Sequence, residues 1–430
     1  MQTVKPAQDH TDSYYAASLR YAVEYPPLEG DVETDVCVVG GGYTGVSTAL
    51  HLAEKGYRVV LLESNRLGWG ASGRNGGHAG TGQRKEQAEL EKILGHELAT
   101  TLWEMGLEAV ELLEDLIKRH EIDCDLKRGI LHVAAKPGDV DYLREGVEYL
   151  QEKYNYQGSR FIEKEEIREM VGSGKFHAGM LDEPSLHMHP LNFLLGMAKA
   201  ADKAGVKIFE GSRVTDIEKG ETAVIKTAGG RVRAKFVVIG CNGYLEKLMP
   251  EIAPEIMPIN NFMLATEPLP EGLARELIRD DQALQDSLFV INYWKLSADN
   301  RLLFGGGENY SPRFPRDLKK FVRKYMLRIY PQLEDTRIDY AWGGTLAITL
   351  NRMPDFGRIS GNIFYAQGFS GHGLPTATFA GKLLAEVISG TAERFDVMAS
   401  LPILKFPGGT LLRWPGLVAG MLYYSLRDKL

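Results

Sequence analysis

Polar residues dominate the first 33 positions, where Pro26-Pro27 blocks regular structure, and the pattern then sharpens abruptly. Asp35 leads into Val36-Cys37-Val38-Val39, a continuous apolar run that predicts a strand buried on both faces. Gly40-Gly41-Gly42 follows at once. Val46, Ala49, Leu50 and Ala53 recur at helical spacing, and Gly56 suits the end of that helix. Val59–Leu62 is a second apolar run, closed by Glu63. Strand, glycine turn, helix and strand in this order open a doubly wound α/β sheet.

Further along, residues 89–94 and 102–117 read as helices and 129–135 as a strand. Pro190 opens a helix over about 191–204. Lys207–Phe209, Ala223–Lys226 and Ala234–Ile239 read as strands. Residues 246–340 mix proline-rich turns with strands such as Leu302–Phe304. Ile363–Ala366 is a last apolar strand, followed by a glycine turn and a helix over 374–389. The nucleotide-type segments are therefore interrupted. The expected organisation is one discontinuous α/β domain from 1–85, 190–245 and 341–392, with a second, antiparallel-sheet domain from 86–189 and 246–340. Residues 393–430 form a C-terminal apolar tail.

A chain of 430 residues suits two interleaved domains. Its formal charge of -7, with no dense basic stretch, argues against nucleic acid as a partner. Cys37, Cys124 and Cys241 show neither disulfide nor metal-ligand spacing, so a reducing cytoplasm and no metal are expected. The first residues lack a signal-peptide core, and no run reaches the ~18 apolar residues of a membrane span. Leu411–Tyr424 is apolar with Trp, Tyr and Arg at its edges. It suits contact with the inner face of a membrane, or docking on its own domain or on a second copy.

The turn Gly40-x-Gly42-x-x-Gly45 has an acid, Glu63, 18 residues after its last glycine. In this strand–helix context it is a dinucleotide fingerprint. Gly40 permits the turn, Gly42 lets backbone approach a pyrophosphate, and Gly45 lets helix and strand pack closely. Tyr43 and Thr44 start the helix, whose N–H groups face the phosphates. Glu63 suits the ribose hydroxyls. The glycine-rich run Ser64 to Gly77 favours FAD over a nicotinamide, because it lets backbone lie along an extended ligand. Ser64, Arg66, Ala71, Ser72, Arg74, Asn75, Gly76 and Gly77 are its candidate contacts, with a surface ion pair the alternative for Arg74. A second loop, Gln367 to Gly373, precedes a helix and could present N–H groups to the ring through Gly371, His372 and Gly373.

These residues resemble the D-amino-acid-oxidase-like superfamily of flavoproteins, and within it the gamma-glutamylputrescine oxidase and L-pipecolate oxidase-type branch. The resemblance rests on DVCVVGGGYTGVSTALHLAEKGYRVVLLE, GASGRNGG, LHMHPLNF, AWGGTLAITLNRMPDFGR and YAQGFSGHG, and runs from about Tyr14 to the end. It implies a Rossmann-like FAD domain beside an antiparallel-sheet domain. It implies oxidation of an amine or amino acid to an imine, with oxygen or a membrane quinone reoxidising a non-covalent FAD. Val214 resembles the residue whose backbone contacts adenine, and Gly243 and Gly344 join the cofactor contacts. A homo-oligomer is open.

Catalytic candidates are His78, Arg352, His372 and Tyr293. His78 departs from the gamma-glutamylputrescine oxidase pattern, in which Gln follows GRNGG, and would face substrate or flavin. Arg352 would hold a substrate carboxylate or pair with Asp355. His372 would bond near the ring or brace its loop. Tyr293 and Trp294 would line the pocket or pack the core. His187 and His189 are read as structural.

Overall fold

The computed structural model describes residues 8–309 and 313–415. Among the described residues, the first sheet has eight strands. Its parallel centre aligns Gly30–Val39 with Val59–Leu62 on one side and Gly230–Ile239 on the other. Lys207–Phe209 and Ile363–Gln367 extend it in parallel, and Asp355–Ile359 closes one edge antiparallel. The core strands are continuous apolar runs because both faces are covered. Helices Tyr43–Glu54, Pro190–Lys203 and Gly373–Ile388 pack on one face, and a cluster around Leu28, Ile225, Met249 and Ile252 packs on the other. Four strands therefore end at Val39, Leu62, Ile239 and Gln367 along one common edge, where such sheets bind ligands.

The second sheet has nine strands among the described residues, mostly antiparallel: eight are ordered from Ile338–Ile348 through Met257–Thr266, Leu302–Asn309, Tyr293–Leu296, Ala283–Asp286, Lys127–Val133 and Gly179–His187 to His78–Ala79, and Ser159–Ile162 also pairs with Gly179–His187. Its two faces differ. Leu131, Leu284, Trp294 and Phe304 point to a core closed by helices Lys164–Met170, Glu271–Leu277 and Leu318–Ile329. The alternate residues point the other way. Trp294 is fully buried between Phe176 and Phe304 and donates its Nε1–H to Tyr330, so it belongs to the core.

The segment boundary expected at 341 cuts through a strand. Ile338–Ile348 pairs with Met257–Thr266 along its length, so it belongs to the second sheet, and the first sheet resumes at Asp355. His78–Ala79 likewise pairs with Gly179–His187 and ties the glycine-rich loop to the second sheet. Helix Asp139–Tyr154 and strand Gly179–His187 have no counterpart in the sequence reading.

The described part of the apolar tail docks on its own chain. Arg413 Nη1 donates to the Ala253 and Ile256 carbonyls at 2.9 and 2.8 Å, and Trp414 packs beside Ile348 and Phe406. Leu411 and Leu412 face outward, and Gly416–Tyr424 lies outside the described residues. Among the described residues no helix is long and apolar enough to cross a membrane.

Under this segment lies a buried acid pair. Burial, with the charge of Asp355 next, pushes the Glu255 carboxyl up to about 7, and burial raises Asp355 too. The folded state thus holds a proton that the unfolded chain releases. The pair's stabilisation is complete below the ordinary carboxylate range and fades as pH climbs through about 7. From about pH 5 to about pH 8 the wild type should lose melting temperature relative to Glu255→Gln, because the buried neutral histidines give both proteins the same opposite slope. Equal slopes by scanning calorimetry would contradict this.

Candidate FAD and substrate site

The glycine turn is closed by contact. Gly40 sits at φ +109°, and a Cβ there would lie 2.8 Å from the Gly240 carbonyl oxygen. A Cβ on Gly45 would lie 1.9 Å from the Gly40 carbonyl oxygen, and one on Gly42 would lie 2.9 Å from Ser72 Oγ. Helix Tyr43–Glu54 starts at Gly42 without a side-chain cap, with Thr44 buried in its first turn. Its N-terminal N–H groups are free to meet an anion, apart from that of Tyr43, which donates to Ser72 Oγ at 3.1 Å.

Glu63 ends the second strand and accepts from Gly41 N at 2.7 Å, Asn65 N at 2.8 Å and Ser64 Oγ at 3.2 Å. Burial raises its pKa against these donors. Ser212 N donates to the Glu63 carbonyl at 2.7 Å, which brings the Val214 segment alongside. Gly40, Gly41, Gly42, Glu63 and Val214 thus share one edge, the arrangement an adenosine diphosphate moiety requires.

The run from Ser64 to Gly77 is held largely by its own side chains. Arg66 does not face the turn: it pairs with Glu210 at 3.0 Å and Glu24 at 3.1 Å and donates to the Val23 carbonyl. Asn75 spends its amide on Tyr43 OH, Ala71 O, Ser72 O and Gly77 N. Both hold the loop. Arg74 differs. It lies 4.3 Å above the Trp69 ring and donates to the Trp69 and Gly343 carbonyls at 2.6 and 3.0 Å. No carboxylate pairs with it among the described residues, so its charge is available to a phosphate or flavin edge. A Cβ on Gly344 would lie 3.2 Å from Arg74 Cβ, and one on Gly243 would lie 3.2 Å from Leu346 backbone. Both glycines are close-approach points where the two sheets meet.

At the far end, Tyr293 lies across Gly76 and Gly305, whose added Cβ atoms would reach its ring at 2.7 and 2.1 Å. Its hydroxyl donates to Asn261. His78 meets the Tyr293 ring edge-on at 5.7 Å, and its ring nitrogens lie 3.2 and 3.1 Å from the Gly76 and Leu284 carbonyls. Burial, then the charge of Lys295, lowers its pKa to about 4, so it is neutral at pH 7.

His372 sits at the head of helix Gly373–Ile388, against Gly80, with Gly371 beside it at φ +95°. Its Nε2 is buried without a protein partner among the described residues, which suits the heteroatom-rich edge of a flavin. With the glycine cradle, this atom makes the described residues fit FAD.

Arg352 is in a tight turn at φ +66°. Its neighbours Thr349 and Asn351 bind Ser370 and Pro402, between the His372 loop and the C-terminal segment. Asp355 is bonded to Gln367 at 2.8 Å and Tyr365 at 3.4 Å. His187 Nε2 meets the Asp281 carbonyl at 2.9 Å, and His189 caps helix Pro190–Lys203 by accepting from Asn192 N at 3.1 Å. Among the described residues no cluster of His, Cys, Asp and Glu could hold a metal.

Sequence reasoning missed a row on the site face of the second sheet. His132 pairs with Gln285, and Gln285 with Tyr293, on adjacent strands, so the three side chains share a face. All three are half-buried, whereas Leu131, Leu284 and Trp294 behind them are buried. Lys295 follows on the same face and donates to the Met188 carbonyl. Only cross-strand register reveals the row.

The fold and the cradle define a flavin-dependent oxidoreductase, and the chain belongs to the DAO family of FAD dependent oxidoreductases, which matches residues 35–387. It is 44% identical over 423 residues to gamma-glutamylputrescine oxidoreductase of Escherichia coli (strain K12), covering 98% of this chain and 99% of that one. Glycine oxidase from Geobacillus kaustophilus has the same fold, with a TM-score of 0.70 at 22% identity over 83% of this chain and 95% of that one. L-proline dehydrogenase from P.horikoshii aligns with a TM-score of 0.69 at 22% identity, over 86% of this chain and 98% of that one.

Proposed function

We propose that the protein oxidises a C–N bond of a carboxylate-bearing amine to the imine, the substrate being a gamma-glutamylated polyamine or a secondary amino acid such as L-pipecolate. The 44% identity across 98% of the chain to gamma-glutamylputrescine oxidoreductase carries the reading. FAD, when bound, would supply a two-electron acceptor for the hydride on the carbon next to nitrogen. The protein's own part is chiefly positioning. Tyr293, wedged between Gly76 and Gly305 and tied to Asn261, forms a rigid wall. His78 and His372, both lowered to about 4 mainly by burial, add no positive charge beside the substrate. The deprotonated amine is the form that can release a hydride. Oxygen or a quinone then takes the electrons.

Anaerobic flavin bleaching tests the reading. Gamma-glutamylputrescine, L-pipecolate, L-proline, sarcosine and D-amino acids would each be mixed with the yellow holoenzyme. Bleaching by a carboxylate-bearing amine is expected, and recovery of colour in air would mark oxygen as the acceptor. If dithionite bleaches the flavin and no amine does, C–N oxidation is wrong.

A further inference from the structure

Arg84 is a cation at the site that no protein anion neutralises. It follows the glycine-rich loop and is half-buried. Its Nε donates to the Ser370 carbonyl at 3.1 Å, in the loop that carries His372. Among the described residues no carboxylate lies within ion-pairing distance of it. Glu86, two residues on, is bonded to Tyr142 instead. The surface arginines nearby in sequence behave otherwise: Arg119, Arg128 and Arg144 each hold a carboxylate.

The groups around Arg84 sharpen the point. Its charge reaches both His372 and His132, which burial already keeps neutral at pH 7. His132 is in the site-facing row, with Gln285 Nε2 2.9 and 2.7 Å from its two ring nitrogens. Arg84 therefore stands where the His372 loop meets the His132–Gln285–Tyr293 row. His372, His132 and Gln285 around it supply neutral donors and acceptors, and Arg84 supplies the charge between them. With Nε committed to a carbonyl, its two terminal nitrogens keep the fork that suits a carboxylate.

We propose that Arg84 receives the carboxylate of the substrate, with His132 and Gln285 as neutral hydrogen-bonding partners beside it. This rests on the amine-oxidation reading above and names the residue that would choose among amines. It moves the substrate's anionic anchor from Arg352 to Arg84, whose Nε reaches the Ser370 carbonyl. It also explains the absence of an acid partner, because a protein carboxylate there would compete with the ligand.

The test compares holoenzyme and Arg84→Gln by anaerobic flavin reduction with gamma-glutamylputrescine and N-acetylputrescine, which share an amide and an amine end but differ in the carboxylate. L-pipecolate and piperidine form a second pair. Arg84→Gln should raise the half-saturating concentration for the acid of whichever pair reduces the wild-type flavin about 10- to 100-fold, the loss of a charged hydrogen bond. The neutral partner should change little, the limiting reduction rate should hold within a few-fold, and Arg84→Lys should restore part of the discrimination. Calorimetric titration with picolinate, an acid with no hydride to give, should show the same loss of binding. Equal weakening of acid and neutral compound, together with lower FAD affinity, would assign Arg84 to bracing the Ser370 loop and overturn the proposal. An unchanged acid-to-neutral ratio would overturn it as well. If no amine reduces the wild-type flavin, the amine-oxidation reading itself fails.

Discussion

Gly45→Ala is expected to yield a colourless protein. The new Cβ would lie 1.9 Å from the Gly40 carbonyl oxygen and 3.2 Å from Val38 Cγ1. Neither neighbour is a flexible tip: one is backbone of the turn, the other is buried in the central strand. Something must move, and the turn is the thinner element. Overpacking of this kind costs about 1–3 kcal/mol in stability. The larger effect falls on cofactor binding. Opening the Gly40 turn pulls the Gly41 N–H off Glu63 and turns the helix N-terminus away from the phosphates. Losing two such charged hydrogen bonds amounts to about 100-fold or more in FAD affinity. Gly56→Ala is the control. Gly56 sits at φ +85° with nothing within 4 Å of an added Cβ, so that change costs backbone strain and leaves the cradle intact. Flavin absorbance per protein after purification, and FAD titration of the apoprotein, separate the two. A Gly45→Ala protein as yellow as wild type would show that the turn tolerates displacement.

The cofactor half of the molecule was legible because its signals are local. Val36–Val39 and Val59–Leu62 are apolar throughout, as strands covered on both faces must be, and glycines punctuate them where chain meets ligand. The second sheet was harder to read. Ala283–Asp286 and Tyr293–Leu296 are four residues each, and their site-facing positions carry Gln285, Tyr293 and Lys295, which blur the alternation. The row they form joins residues 153 positions apart, His132 and Gln285, and no window along the chain contains both. Residue type also misleads where the partner decides the role. Arg66 and Arg74 lie eight positions apart in the same glycine-rich run. One is consumed by Glu24 and Glu210; the other meets only carbonyls and a ring. Arg84 carries no motif that marks it in the sequence; its role shows only when its Nε is seen on Ser370.

The same row contains a residue that works against the stability of the fold, and Lys295→Met is expected to raise it. Lys295 is 4% exposed, and its ammonium is bonded to the Met188 carbonyl under the Gly77 turn. Burial, then the charge of Lys127, pushes its pKa down to about 7; Asp125 and Asp281 oppose that shift without cancelling it. An unfolded lysine titrates near 10.4, so between these values the unfolded chain binds a proton that the native protein does not. Stability from this group is therefore full only above about pH 10 and is lost as pH falls toward 7. The difference of about three units corresponds to something on the order of 4 kcal/mol. Methionine keeps the length and packing of the side chain without the buried charge. At pH 7 the variant should melt higher, and its stability should be flatter between about pH 7 and about pH 10 than that of wild type. Part of the gain is returned because the Met188 carbonyl loses its donor. Denaturant unfolding of wild type and variant across that range gives both slopes. A wild-type stability that does not rise with pH relative to that of the variant, or a variant that is less stable at pH 7, would mean that the ammonium is better compensated than its surroundings indicate. A cation kept at this cost, on the face shared with Tyr293 and Gln285 and directly beneath Gly77, is what a site built around an electron-accepting ring would retain against the interest of the core.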